Sequence, residues 1–227
     1  MFYEQFVTYH GYRTVLNGLL VTVEVAVFGL LIGIVIGTLI AVVRVVPKYK
    51  RLPRVLNRIC DVYVGFFRGS PMVVQLLLGY YVLLPAMHIT LNSVLVAVIV
   101  FGLNSGAYVS EIMRSGIQSI DVGQLEAARA LGMTYPASML RIVIPQAVKN
   151  IMPTLGNEFI VLIKETSVLS FIAIIDLTEA FTKLGDPNYE YIIPYLMLAI
   201  SYLVLVLLIT FGLRFIERRL RRSDRSH

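Results

Sequence analysis

Of 227 residues, 57% are hydrophobic and 15% charged, and the mean hydropathy of +0.78 lies well above that of a soluble globular domain, which excludes a water-borne enzyme and points to lipid as the solvent. The formal net charge of +6 is carried by short basic blocks between apolar runs, a distribution that orients a membrane protein and argues against a nucleic-acid patch. The single Cys60 leaves no intrachain disulfide and no thiolate cluster, and His10, His88 and His227 stand apart, so neither metal binding nor catalysis is expected.

Five apolar runs, 14–43, 62–84, 91–113, 151–175 and 192–213, are predicted to cross the bilayer, each near the roughly 20 residues that a hydrocarbon core demands of a helix. Strands are excluded because they would leave backbone groups unpaired in lipid, and no run alternates with the period of a barrel. The expected fold is an all-α integral membrane protein of one domain, residues 1–227. The first run is too long for a signal-peptide core and lacks a basic segment before it, so it is expected to remain as a permanent span. Within it Gly29, Gly33 and Gly37 form a flat stripe that admits a close neighbour, either inside the subunit or across a dimer. Glu24, beside Thr22, is expected to hydrogen-bond a neighbouring helix rather than a ligand.

The connection that follows holds Arg44, Lys48, Lys50, Arg51, Arg54, Arg58 and Arg68. The carboxyl-terminal tail holds Arg214, Arg218, Arg219, Arg221, Arg222 and Arg225. Both are therefore expected in the cytoplasm. The stretch from Pro85 to Thr90 has no basic residue, and that from Asp176 to Glu190 sets Lys183 against Asp176, Glu179, Asp186 and Glu190, as an outer connection would. An odd number of spans follows, with the amino terminus outside and the carboxyl terminus inside. In the second span Arg68-Gly69-Ser70-Pro71 marks a break near the inner edge, read as an anchor or as a hinge, and Gln75 adds a polar group.

On the third span Asn104, Tyr108 and Glu111, spaced by four and three, share a face with Ser105 beside it, a credible wall of a polar cavity. The cytoplasmic stretch from Ser115 to Asn150 follows. Gln124 to Leu131 is a strong helix former, Gly132 permits a sharp turn, Tyr135-Pro136 starts a second short helix, and Pro145 is expected to redirect the chain to the membrane. In the fourth span Glu158 and Glu165, seven apart, align, and Lys164 brings the opposite sign. Charges inside a bilayer cost at least about 2.5 kcal/mol and are functional by default. An amino acid zwitterion needs both signs, but an internal ion pair of Lys164 with Glu165, or of Glu111 with Arg114 at the inner surface, would use the same residues.

The segment EAARALGMTYPASMLRIVIP, Glu126 to Pro145, resembles the cytoplasmic EAA loop of ATP-binding cassette importer permeases, with Ile144 where leucine is usual. FFRGSPMVVQ, LNSGAYVSEIMRSGI and NEFIVLIKETSVLS resemble stretches of permeases in the polar amino acid uptake family, so that the likeness covers most of the chain from Phe66 onward. The resemblance implies a permease that pairs with an identical or paralogous permease in the bacterial inner membrane. Two cytoplasmic ATPases would dock on the loop through Glu126, Ala127, Ala128, Arg129, Gly132 and Pro145, and an extracytoplasmic binding protein would deliver a polar amino acid. With that support, the intramembrane polar groups Glu158, Lys164, Asn104, Ser105, Tyr108, Glu111, Glu165 and Gln75 are expected to meet the cargo, carboxylates on its ammonium or basic side chain and Lys164 on its carboxylate. No G-x-x-x-x-G-K-[ST] phosphate loop is present, so ATP and magnesium are expected on the partners, with no cofactor in this chain and no enzymatic activity. The excess of glutamates favours cationic or neutral cargo. An ion-coupled secondary carrier or a channel is the competing reading, and an intramembrane enzyme lacks a nucleophile and base within the spans.

Overall fold

The computed structural model describes residues 6–7, 10–45 and 51–222. Lys48, Lys50 and Arg225 lie outside them, as do the side chains of Arg219, Arg221 and Arg222. The described residues form helices and short connections with no strand, as lipid requires.

Helix α1 (Gly11–Val45) has 35 residues, about 52 Å at 1.5 Å per residue, more than enough to cross a bilayer. It packs along α4 (Ser93–Gln118), whose first turn is capped by Asn92 accepting from the Val94 amide at 2.8 Å. The glycine stripe makes this contact possible. A Cβ placed on Gly33 would sit 2.6 Å from Ser105 Oγ, so the stripe serves packing inside the subunit. The opposite side of α1 exposes Leu16, Leu20, Leu31, Val35 and Leu39. Thr22 is fully buried and accepts a hydrogen bond from the Leu177 amide at 3.1 Å. Glu24, by contrast, is exposed and makes no hydrogen bond among the described residues, so the expected tie to a neighbouring helix belongs to Thr22 instead.

The predicted span 62–84 is two helices, α2 (Arg51–Gly69) and α3 (Met72–Ala86), bent by 109°. Pro71, at φ −65° and ψ 142°, has no N–H to continue a helix and pushes Ser70 away from helical geometry. Sequence hydropathy runs through this point because α2 is amphipathic: Leu52, Val55, Ile59, Val62 and Phe66 form an exposed apolar stripe, and Arg51, Arg54 and Arg58 lie off it. The apolar stripe merges with α3 in any averaged window.

Helix α5 (Val122–Ala130) follows α4 after Asp121, whose side chain accepts from the Gly123 amide at 2.7 Å. Helix α6 (Tyr135–Ser138), a π stretch Met139–Val143 and α7 (Ile144–Glu165) then run on without a break. Pro145 therefore lies inside the helical run instead of redirecting it. A wide turn just before a proline accommodates the missing N–H and the ring, and the same device occurs in α3, where the π stretch Leu78–Leu83 precedes Pro85. The predicted span 151–175 is correspondingly shifted. Its helix begins before Ile151 and ends at Glu165, giving way to a 3-10 stretch Thr166–Ile172 and to Ala173 at φ 58°. Helix α8 (Leu177–Gly185) is capped by Asp176, which accepts from the Thr178 and Glu179 amides at 3.1 and 3.0 Å.

The last helix, α9 (Ile192–Arg222), has only 6% of its most apolar stretch buried, so almost all of it is left for lipid or another subunit. Among the described residues α1, α4 and α9 are long and apolar enough to cross a membrane, and α2 with α3 would do so only as a bent pair. The shared core is built by Leu76 of α3, Phe101 of α4, Leu162 of α7 and Leu169 of the 3-10 stretch, with Val25 of α1.

Candidate functional site

The helix pair α1–α4 sets the depth of every candidate residue, because α4 carries four of them on consecutive turns. Ser105, fully buried against Gly33, donates to Glu158 Oε1 of α7 at 3.3 Å. Glu158 is only 7% exposed and takes no cation among the described residues. Glu165 lies two turns along the same face of α7, close enough for its charge to bear on Glu158. Lys164 is exposed and forms no ion pair among the described residues, Glu165 included. The internal Lys164–Glu165 pair is therefore not made within the subunit, and a buried carboxylate and an accessible ammonium are both left for something else.

Asn104 and Gln75 meet each other. Asn104 Nδ2 donates to Gln75 Oε1 at 2.9 Å and to the Phe67 carbonyl at 3.3 Å. Gln75 Nε2 donates to the Phe67 carbonyl at 2.8 Å, the Ser70 carbonyl at 3.0 Å and Ser70 Oγ at 2.9 Å. These carbonyls are the ones that the end of α2 leaves without helical partners, so the two amides close the elbow between α2 and α3. Both are at least nine-tenths buried. Replacing Gln75 with leucine should leave Asn104 and the Phe67 and Ser70 carbonyls short of partners. At about 1–3 kcal/mol per unsatisfied group, Gln75→Leu is expected to lower the melting temperature of the purified complex by several degrees, and Gln75→Glu, which keeps the acceptor for Asn104 but sets a buried carboxylate oxygen against the Phe67 and Ser70 carbonyls, should not rescue it.

Tyr108 carries Arg68 over its ring at 5.4 Å. One turn further, Glu111 is the hub of an ion cluster: it pairs with Arg44 of α1, with Arg114 at 2.7 Å and with Arg68 at 3.8 Å. Arg44 also reaches Asp61 of α2 at 2.6 Å. The cluster ties α1, α2 and α4 together at one end of the bundle. Glu111 is thus separated from Glu158, and its pairing with Arg114 is part of a wider network that sequence spacing could not reveal, since Arg44 and Asp61 come from other segments.

The stretch from Asp121 to Pro145 presents its residues unequally. Ala128 is 2% exposed and packs on the chain, whereas Glu126, Ala127, Arg129 and Pro145 are exposed. Leu131 is 85% exposed, a large apolar side chain turned outward that the motif did not single out. Gly132 has φ +84°, and a Cβ there would meet nothing within 4 Å. Its place is set by backbone conformation, not by close approach inside the chain: the Gly132 amide bonds the Arg129 carbonyl at 3.0 Å and the Met133 amide bonds that of Ala128 at 3.1 Å, which satisfies the end of α5 as a left-handed glycine permits. Arg129 Nη1 secures the turn on the Met133 carbonyl at 2.9 Å.

A family model described as "Binding-protein-dependent transport system inner membrane component" matches residues 29–222. The arginine transport system permease protein of Bacillus subtilis is 37% identical over 92% of this chain and 94% of its own length. The L-cystine transport system permease protein of the same organism is 36% identical over 91% and 86%. A crystal structure of an amino acid ABC transporter with histidines aligns at a TM-score of 0.84 with 38% identity, over 94% of this chain and 96% of the other. Covered by one family model over most of its length and superposing with such a transporter, the chain belongs to the family of binding-protein-dependent transport system inner membrane components.

Proposed function

We propose that this chain is the permease of a bacterial inner-membrane importer for a polar amino acid, cationic or neutral, driven by ATP hydrolysis on partner subunits. The observation that carries the reading is Glu158, buried on Ser105 with no cation paired to it among the described residues. An isolated buried carboxylate is costly, and the ammonium or basic side chain of a cargo molecule would relieve it in passing. Lys164, exposed and without an ion pair among the described residues, supplies the opposite sign for a carboxylate from the same helix, and Glu165 follows it directly. Asn104, Gln75 and Tyr108 act on this site through the elbow they hold instead of by contact. Relatives that carry arginine and cystine agree with this substrate class, and the family itself favours a binding-protein-dependent importer over an ion-coupled carrier.

The spans of this reading are α1, α3, α4, α7 and α9, with the amino terminus outside, the carboxyl terminus in the cytoplasm, and α2 on the inner side. Helix α5 then faces the cytoplasm, where it meets an ATPase that carries ATP and magnesium. A second permease, identical or paralogous, covers part of the apolar surface of α9, and an external binding protein delivers cargo. In a Cys60→Ser background, cysteines at Arg51 and Met133 should resist an impermeant thiol reagent applied from outside, and those at His88 and Pro187 should react. Reaction at Met133 from outside would overturn both the topology and the docking of an ATPase there. In liposomes containing the assembled complex, uptake of arginine, histidine or glutamine should require internal ATP and the binding protein. Uptake driven by an ion gradient alone would overturn the importer reading.

A further inference from the structure

Two cavities of the described residues are not used by the proposed transport site. One, about 620 Å³, is polar and lined by Arg44, Asn57, Asp61, Glu111, Arg114 and Gln118. The other, about 600 Å³, is apolar, with Ala41, Val42, Met113, Met139, Val148 and Ile151 in its walls. A third cleft of about 230 Å³ lies against both at the end of α4, sharing Ile117 and Gln118 with the polar cavity and Ile117, Tyr135 and Met139 with the apolar one. The three lie side by side around Ile117 as a band, polar at one end and apolar at the other.

The charge around the polar end is unbalanced. Asp61 and Glu111 face Arg44, Arg114 and Arg68 within the cluster, and the exposed Arg54 and Arg58 lie on the same face of α2 as Asn57 and Asp61. Arg44 is nine-tenths buried, with its two terminal nitrogens held by Asp61 and Glu111. Guanidiniums in excess over carboxylates call for an anionic acceptor. The apolar end calls for hydrocarbon. Basic pockets between membrane helices are suited to acidic lipid headgroups, and a chain whose helices cross a bilayer has such lipids within reach.

We propose that this band is a binding site for one anionic phospholipid, with its phosphate against Arg44, Arg114 and the rim of α2 and one acyl chain bent around α4 into the groove beside Val148. The lipid would brace α2 against α4 and the start of α7, the segments that connect the elbow to α5. The inference depends on the transport reading only for the leaflet concerned. Lipid retention is measured without substrate or ATP, so its failure would leave the transport reading untouched.

The test is native mass spectrometry of the assembled permease–ATPase complex after exchange into mixed phosphatidylglycerol and phosphatidylcholine, with two variants on exposed residues so that folding is kept. The wild type should retain phosphatidylglycerol in a fixed number per permease. Arg58→Gln should reduce the preference for it over phosphatidylcholine about fivefold, the worth of one basic residue at an anionic surface. Val148→Trp, which fills the groove, should reduce retention of both lipids. Retention indifferent to headgroup and unchanged in Arg58→Gln would mean ordinary annular lipid and overturn the proposal. So would retention unchanged by Val148→Trp, or displacement of the lipid by added amino acid, which would make the polar cavity a cargo site.

Discussion

Glu158→Gln is expected to lower ATP-dependent uptake by the assembled complex roughly 30- to 1000-fold, the equivalent of the 2–4 kcal/mol that a desolvated charge pair loses with one partner. The substitution keeps the size of the side chain and an oxygen for the Ser105 hydroxyl, which donates to it at 3.3 Å, so the bundle should keep its shape. The sign of the stability change is the discriminating readout. A structural ion pair would make the variant less stable, but Glu158 takes no cation among the described residues, and removing a buried unpaired charge should leave the melting temperature of the empty complex unchanged or raise it. Lys164→Met should likewise reduce uptake without destabilising the complex, because Lys164 is exposed and has no ion pair among the described residues. A parallel loss of stability and uptake in both variants, or unchanged transport in either with the binding protein held constant, would remove these residues from the path.

The sequence carried the class of the fold because lipid permits so few solutions, and the runs that became α1, α4 and α9 are legible from hydropathy alone. It misplaced the elements whose boundaries depend on proline context. The break expected at Arg68 to Pro71 turns the chain by 109° and leaves α2 outside a single straight span, whereas Pro145 lies inside a helix that looks interrupted. The difference is the π stretch at Met139–Val143, which a residue pattern does not announce. At the candidate site, period alone aligned Asn104, Tyr108 and Glu111 on one face of α4. It could not tell that their partners differ, the Gln75 amide for one, the Arg68 guanidinium for the next and Arg44 for the third. Those partners arrive from α1, α2 and α3 through tertiary packing. Leu131 escaped notice for a related reason: nothing in an isolated leucine says that it will be turned outward.

Gly132→Asp is expected to abolish coupling while leaving the spans inserted, and the geometry separates two causes. At φ +84° any side chain is strained, by about 1–2 kcal/mol for an ordinary residue and less for asparagine or aspartate. Asparagine should therefore be tolerated by the turn far better than alanine. Aspartate has nearly the same shape but adds a negative charge at the carboxyl-terminal end of α5, where the helix dipole already disfavours it, and it does so on an exposed surface next to Leu131. If the turn only has to fold, Gly132→Asp should differ from Gly132→Asn only by the roughly 0.3–1 kcal/mol of the dipole, read as a small drop in melting temperature, with coupling alike. If an ATPase docks there, aspartate should be the worse of the two, and Leu131→Glu should be as harmful although it strains nothing. Burying a leucine is worth about 1.5–3 kcal/mol, so Leu131→Glu should weaken association of the purified ATPase at least tenfold while the permease keeps its melting temperature. Normal ATPase association with Leu131→Glu would place the docking surface elsewhere on the subunit and reduce Gly132 to a residue that ends a helix.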